Sequence, residues 1–153
     1  MPRILGVHAK VSGGAYSVGF VIVENRAVVL QVVVPAPGES EARQLSELYT
    51  RAVEVMGNAN SDLIALRLNE APGSRALIAH RAEGVVIAAA GGLNLRVRPV
   101  TGRSMWSPAG LQSTATNAES VNALCQLLGG QAVTAPECHQ AAAAAMVAEL
   151  RPL

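Results

Sequence analysis

Two Val-rich stretches near the N-terminus, Tyr16 to Val23 and Ala27 to Val34, are separated only by Glu24-Asn25-Arg26. A helical crossover needs a dozen or more residues, so strands joined this closely pair antiparallel. In the first, Val18, Phe20 and Ile22 alternate with Ser17, Gly19 and Val21, which is the period of a strand. Ahead of this hairpin, Arg3 to His8 reads as a short buried strand in which Ile4, Leu5 and Val7 are apolar and Gly6 breaks the run. His8 falls at the carboxyl end of that strand, where parallel α/β sheets gather their chemistry.

The remainder alternates between helical and strand periods. Pro35-Ala36-Pro37-Gly38 stops the hairpin, and Ser40 or Glu39 opens a helix whose Leu45, Leu48, Ala52, Val55 and Met56 form one apolar stripe. Gly57-Asn58 is the expected stop. Leu63 to Leu68 reads as a fourth strand, followed by a turn over Asn69–Ser74. Ser74 is placed to cap a helix to about Ala90 that is apolar nearly all round, a pattern expected to be buried on two sides. It should end at Gly91-Gly92. Leu95 to Val100 is a fifth strand, Thr101 to Thr116 is irregular, Asn117 caps a helix to Leu128, and Pro136 starts the last helix, to about Arg151. Ala141–Ala145 within it reads as a strong helix former. The order β-β-β-α-β-α-β-α-α predicts an α/β domain with a mixed five-stranded sheet, antiparallel hairpin plus parallel strands, flanked by helices.

Composition limits the function classes. A chain of 153 residues suits one domain spanning 1–153. The net charge of +1 supplies no field to draw the chain onto nucleic acid. Charged residues are only 15%, against about 25% in typical domains. That leaves surface for a partner, and a second copy is the simplest one. The basic residues are eleven Arg and one Lys, a bias consistent with a GC-rich genome. Two cysteines make no disulfide framework, and a reducing cytoplasmic location is expected. No signal peptide is visible, and the longest apolar run, Gly84 to Leu93, falls well short of the roughly 20 residues a membrane span needs.

The element order is that of the ribonuclease H-like fold, and the local motifs resemble the RuvC-type Holliday junction resolvases. Arg3 to His8 is similar to that family's opening strand, Tyr16–Val34 to its hairpin, Arg75 to Ala90 to the helix after the fourth strand, Leu95–Thr101 to the fifth strand and its exit, and Glu137-Cys138-His139-Gln140 to the closing acidic helix. The resemblance implies carboxylates holding two Mg²⁺ ions that activate water. It places an Asp at the end of the first strand, a Glu at the end of the fourth, and two acids three residues apart on the last helix.

Here those positions carry His8, Arg67, Glu137 and Gln140, with Glu70 a backup acid three residues past Arg67. The sole Asp, Asp62, precedes the fourth strand, and seven of the ten Glu lie in the hairpin turn or on amphipathic helices. A carboxylate cluster is hard to assemble from the rest, so the expectation is a degenerate site with no catalytic residues and no cofactor. Arg67 is expected to pair with Glu137 in the old cavity. His8, Glu137, Cys138 and His139 are also Zn²⁺-type ligands, if they converge. The alternative is an active, Mg²⁺-dependent, structure-selective endonuclease rearranged around Glu70, Glu137 and His8.

Nucleic-acid contacts fall to Lys10, Arg96, Arg98 and Arg103, a sparse footprint. Arg96 and Arg98 also read as a solvated strand face. Met105 and Trp106 either cap the core or anchor a partner. In the resembling family the helix after the fourth strand helps form the dimer, which implies Leu77, Ile78, Arg81 and Val85 as interface residues. Together these readings predict a catalytically inactive, RuvC-like homodimeric binding or scaffold protein. A protein or branched nucleic acid is its expected partner.

Overall fold

A computed structural model describes residues 2–36, 40–70 and 74–152. Pro37–Glu39 and Ala71–Gly73, parts of two expected turns, lie outside the described residues, as does the side chain of Ser74, the expected cap.

Three ten-residue strands, β1 (Arg3–Ser12), β2 (Ala15–Glu24) and β3 (Ala27–Ala36), form an antiparallel meander. Both connections are two-residue turns with both residues at positive φ: Gly13 (59°) and Gly14 (78°), then Asn25 (53°) and Arg26 (58°). Such turns match the twist of the strands they join. The first strand is therefore part of the hairpin system and runs four residues past His8.

Helix α1 (Glu41–Ala59) is capped by Ser40, whose hydroxyl accepts from the Arg43 amide at 3.3 Å. It passes the expected stop at Gly57 and ends where Asn60 enters the left-handed region at φ 51°. Strand β4 (Leu63–Arg67) leads to α2 (Ser74–Gly92), β5 (Val97–Val100) and a single 3₁₀ turn, Gly102–Ser104. Helix α3 (Asn117–Gln126) follows, then β6 (Gly129–Gly130) and α4 (Pro136–Leu150).

The sheet has six strands in the order β5-β4-β1-β2-β3-β6, not the five expected. The sixth is the pair Gly129-Gly130, which reads as a helix terminator but pairs parallel with Ala27 and Val28. Gly130 is at φ +78°, and a Cβ there would sit 2.4 Å from the Val28 carbonyl oxygen. Only glycine fits the contact.

Two cores lie on opposite faces of the sheet. On one face Leu5, Val7, Phe20 and Leu66 pack under α1 and α2. On the other, Ile4, Val21 and Ala65 pack under α4 and α3. Ala141–Ala145 are all fully buried, so this run does more than favour a helix. Small side chains let α4 lie directly on β1 and β2. A Cβ at Gly6 would sit 1.9 Å from the Ala141 carbonyl oxygen, and one at Gly19 would sit 2.7 Å from the Glu137 carbonyl carbon.

Helix α2 departs from expectation. Its Ala79, Ala82, Val86, Ala89 and Ala90 are buried under the sheet and α1, but the opposite face is open, with Leu77 67% and Ile87 48% exposed. It is buried on one side rather than two. No helix among the described residues is long and apolar enough to cross a membrane.

Candidate functional site at the carboxyl edge of the sheet

β1 and β4 run parallel, with His8 directly beside Arg67, and Val100 at the end of β5 beside Arg67 in turn. β4 and β5 finish at one edge, and the pairing of β1 with β4 stops there at His8 while β1 continues beside β2 to Ser12. The start of α4 covers this edge next to Gly19, which is the β2 partner of His8. The four positions aligned with the family's acids are thus brought to one end of the sheet. What they assemble is a guanidinium site.

Arg67 fills the centre, its side chain only 6% exposed. Its Nε donates to Gln140 Oε1 at 3.2 Å, and its Nη2 to Asn117 Oδ1 at 2.6 Å. Nη1 donates to the Leu68 carbonyl at 2.6 Å, Glu70 Oε1 at 3.2 Å and the Val100 carbonyl at 3.4 Å. A buried arginine is tolerated when its fork of donors is met in this way. Burial pulls its pKa below the usual arginine value, with Glu70 opposing that shift. The expected pairing with Glu137 is not formed; the partner is Glu70, which the turn after β4 brings alongside and which also accepts from the Gly102 amide at 2.5 Å.

His8 Nδ1 lies 3.2 Å from the Arg67 carbonyl oxygen. Burial, and secondarily the Arg67 charge, hold its pKa below the ordinary histidine value, while the bond to the carbonyl opposes the shift. The imidazole is therefore neutral at pH 7. The carbonyl can only accept, so Nδ1 carries the proton and Nε2 presents a lone pair.

Glu137, Glu83 and Asp62 are each engaged elsewhere. Glu137, 7% exposed, accepts from the Ser17 hydroxyl at 2.7 Å. Glu83 was not singled out by the sequence. It is 3% exposed and takes the Asn69 amide N–H at 2.8 Å, the Asn69 side-chain Nδ2 at 2.5 Å and His80 Nδ1 at 2.7 Å. Asn69 in turn donates to the Ala9 carbonyl at 3.0 Å, tying the turn after β4 to β1. Asp62 binds the Arg3 amide at 2.8 Å, at the opposite edge, as the sequence implied.

The Zn²⁺-type set does not converge. His139 Nδ1 contacts the Ala135 carbonyl at 3.0 Å, and Cys138 is buried with Sγ 4.0 Å from the Val32 carbonyl. Among the described residues no group of three or more His, Cys, Asp or Glu is placed to hold a metal ion. The two-Mg²⁺ arrangement fits no better. Hard cations require several convergent oxygens, and here a fixed positive charge occupies the centre while the carboxylates face other partners.

A cavity of about 620 Å³ opens at this edge. His8, Arg67, Glu70, Asn117 and Gln140 line it together with Arg103 and Trp106. Asn117 and Trp106 entered the sequence reading only as a helix cap and a core or partner anchor. The cap is Thr116, whose hydroxyl accepts from the Glu119 amide at 3.1 Å, and this frees Asn117 for Arg67. Met105 is fully buried beneath.

The four expected nucleic-acid residues divide between two edges. Lys10 lies two residues beyond His8 on the same face of β1, and Arg103 is exposed at the cavity mouth. Arg96 is exposed beside Asp62 at the far edge, and Arg98 donates to the Arg151 carbonyl at the end of α4. Of the expected dimer residues, Leu77 projects outward, Ile78 and Val85 pack partly inward, and Arg81 clamps both carboxylate oxygens of Glu41 at 2.7 Å.

No family model matches the sequence, and no curated protein matches it. Solved structures do. Thermus thermophilus RuvC superposes with a TM-score of 0.78 at 17% identity, over 97% of this chain and 93% of that one. The same protein in complex with its Holliday junction substrate gives 0.79 at 16% identity, over 98% and 94%. The yeast mitochondrial Holliday junction resolvase Ydc2 gives 0.57 at 12% identity, over 97% and 77%. The chain therefore has the RuvC fold, a ribonuclease H-like architecture.

Proposed function

We propose that this chain is a homodimeric binding module, built on the RuvC frame, that holds branched DNA without cutting it. The observation that carries the reading is the Arg67 guanidinium. It stands where strand-end acids would gather divalent ions, and five acceptors hold it there. A cation fixed by the protein repels Mg²⁺ and cannot activate a water as a bound metal does. The structural neighbour described with a Holliday junction substrate supports branched DNA as the partner. Lys10 and Arg103 are the basic residues at the relevant edge, so the expected contact is light and phosphate-directed. The open face of α2 around Leu77 and Ile87 is the proposed dimer surface.

Labelled four-way junctions, incubated with the purified protein and Mg²⁺ or Mn²⁺, test this. The expected result is a gel shift with no nicking. Two basic residues per protomer, four per dimer, give a shallow log–log salt slope of about −4. Specific nicking above a Glu137→Ala control would establish a rearranged nuclease instead. Absence of any shift at low salt would move the partner from nucleic acid to protein. Light scattering at micromolar concentration should give a dimer that Leu77→Arg converts to monomer; a monomeric parent removes the dimer.

A further inference from the structure

From the cavity at the sheet edge we infer that this protein binds a nucleotide, with its base against Trp106 and its phosphate at Arg103. The inference concerns the same edge as the DNA-binding reading but does not require a branched junction. Its basis is how Arg67 sets the polarity of the cavity wall.

The guanidinium takes the carbonyl oxygens of both Gln140 and Asn117. Each amide is thereby fixed with its oxygen inward, so its NH₂ group is left as the outward donor. Both residues line the cavity. Neutral His8 adds a ring-nitrogen acceptor. The wall thus offers two donors and an acceptor from uncharged groups, which suits the edge of a nucleobase.

Other ligand classes fit less well. A metal ion meets the Arg67 charge. Inorganic phosphate meets an Arg67 that already holds five acceptors, and Arg103 is the one basic side chain on the cavity wall with no partner among the described residues. A nucleotide uses both ends of the cavity. Trp106, the chain's sole tryptophan, is half-buried on the wall and supplies a stacking face, while Arg103 at the exposed mouth meets the phosphate. A volume of about 620 Å³ is within the range of pockets that enclose small ligands.

Because Trp106 is the only tryptophan, its fluorescence reports stacking directly. The four deoxynucleoside 5′-monophosphates, ribose 5-phosphate, inorganic phosphate, a short single-stranded oligonucleotide and a four-way junction are titrated in turn. The expected result is saturable quenching by nucleotides or by the oligonucleotide, and none by ribose 5-phosphate or phosphate. Saturation by free nucleotides identifies a small-molecule ligand, and saturation by the oligonucleotide alone identifies a strand nucleotide. Both outcomes bear the inference out. Arg103→Ala, an exposed position, should weaken the response about tenfold, and Trp106→Leu should abolish binding measured by calorimetry. Should Trp106→Leu fail to fold, the parent titration and Arg103→Ala still decide.

No saturable quenching by any nucleotide or strand, or equal quenching by phosphate alone, overturns the inference. Junction binding in a gel without quenching overturns it and leaves the DNA-binding reading standing. Quenching by nucleotides without a junction shift does the reverse.

Discussion

Replacing Arg67 by Met retains a long apolar stem and removes every donor, so its cost can be worked from the five bonds. The Val100 carbonyl also accepts from the Leu68 amide at 3.0 Å and stays satisfied. Glu70 is 45% exposed, keeps the Gly102 amide and is free to rehydrate, so its pair with Arg67 adds little. Asn117 is exposed and likewise free to rehydrate. That leaves Gln140 Oε1 and the Leu68 carbonyl. A stranded buried acceptor costs roughly 1–3 kcal/mol, and access to water from the cavity puts these two at the low end. The sum is about 2 kcal/mol. With a urea slope of about 2 kcal/mol/M for a domain of this size, the unfolding midpoint should fall by about 1 M. Arg67→Lys keeps the charge but lacks the planar fork, and should lose about half as much. The assay is urea unfolding followed by circular dichroism. A Met variant as stable as the parent would refute the reasoning, and a more stable one would show that burying the guanidinium costs more than its partners return.

Three further outcomes follow from separate parts of the molecule. Gly6→Ala puts a methyl 1.9 Å from the Ala141 carbonyl oxygen, so α4 must lift from the sheet; calorimetry should read a loss on the order of 3 kcal/mol. His8 has its folded-state pKa depressed, so the unfolded chain binds the proton more readily below pH 6.5; stability is full above that value and falls as pH drops toward the folded pKa. Unfolding measured from pH 8 to pH 5 should show this loss, and His8→Gln should flatten it. Burial pushes both thiols, Cys125 and Cys138, up to about 11, so thiolate is scarce at pH 8. A disulfide reagent should label them at least about 100-fold more slowly than an exposed thiol until urea is added; fast labelling of the native protein contradicts the packing of α3 on α4.

The frame was legible because apolar period and short connections dictate it. Val-rich runs separated by three residues have one pairing, and a first strand through His8 could be read from Ile4, Leu5 and Val7, although it continues to Ser12 rather than ending at His8. The small features escaped for physical reasons. Gly129-Gly130 carries no side-chain pattern, so a two-residue strand looks the same as a helix stop. Gly57 did not end α1, because packing of Met56 and Ala59 in the core outweighs one glycine's propensity. The Ala run in α4 looked like propensity alone because its tight seat on Gly6 and Gly19 involves positions more than a hundred residues distant. At the site, His8, Arg67 and Gln140 were readable as non-acidic residues at positions where the resemblance implied acids. The partner of Arg67 was not, since choosing between Glu70 and Glu137 depends on where the turn after β4 places its carboxylate. Glu83 went unnoticed because its partner, Asn69, lies on that same turn, fourteen residues away.

The central claim is that a fixed guanidinium occupies the sheet edge and leaves no seat for divalent ions. Crystals soaked in Mn²⁺ test it through anomalous scattering. The account predicts no metal peaks near His8, Arg67 and Glu137, with the guanidinium still bound to Gln140 and Asn117. Two peaks about 4 Å apart bridged by Glu70 or Glu137, with Arg67 swung out, would contradict it.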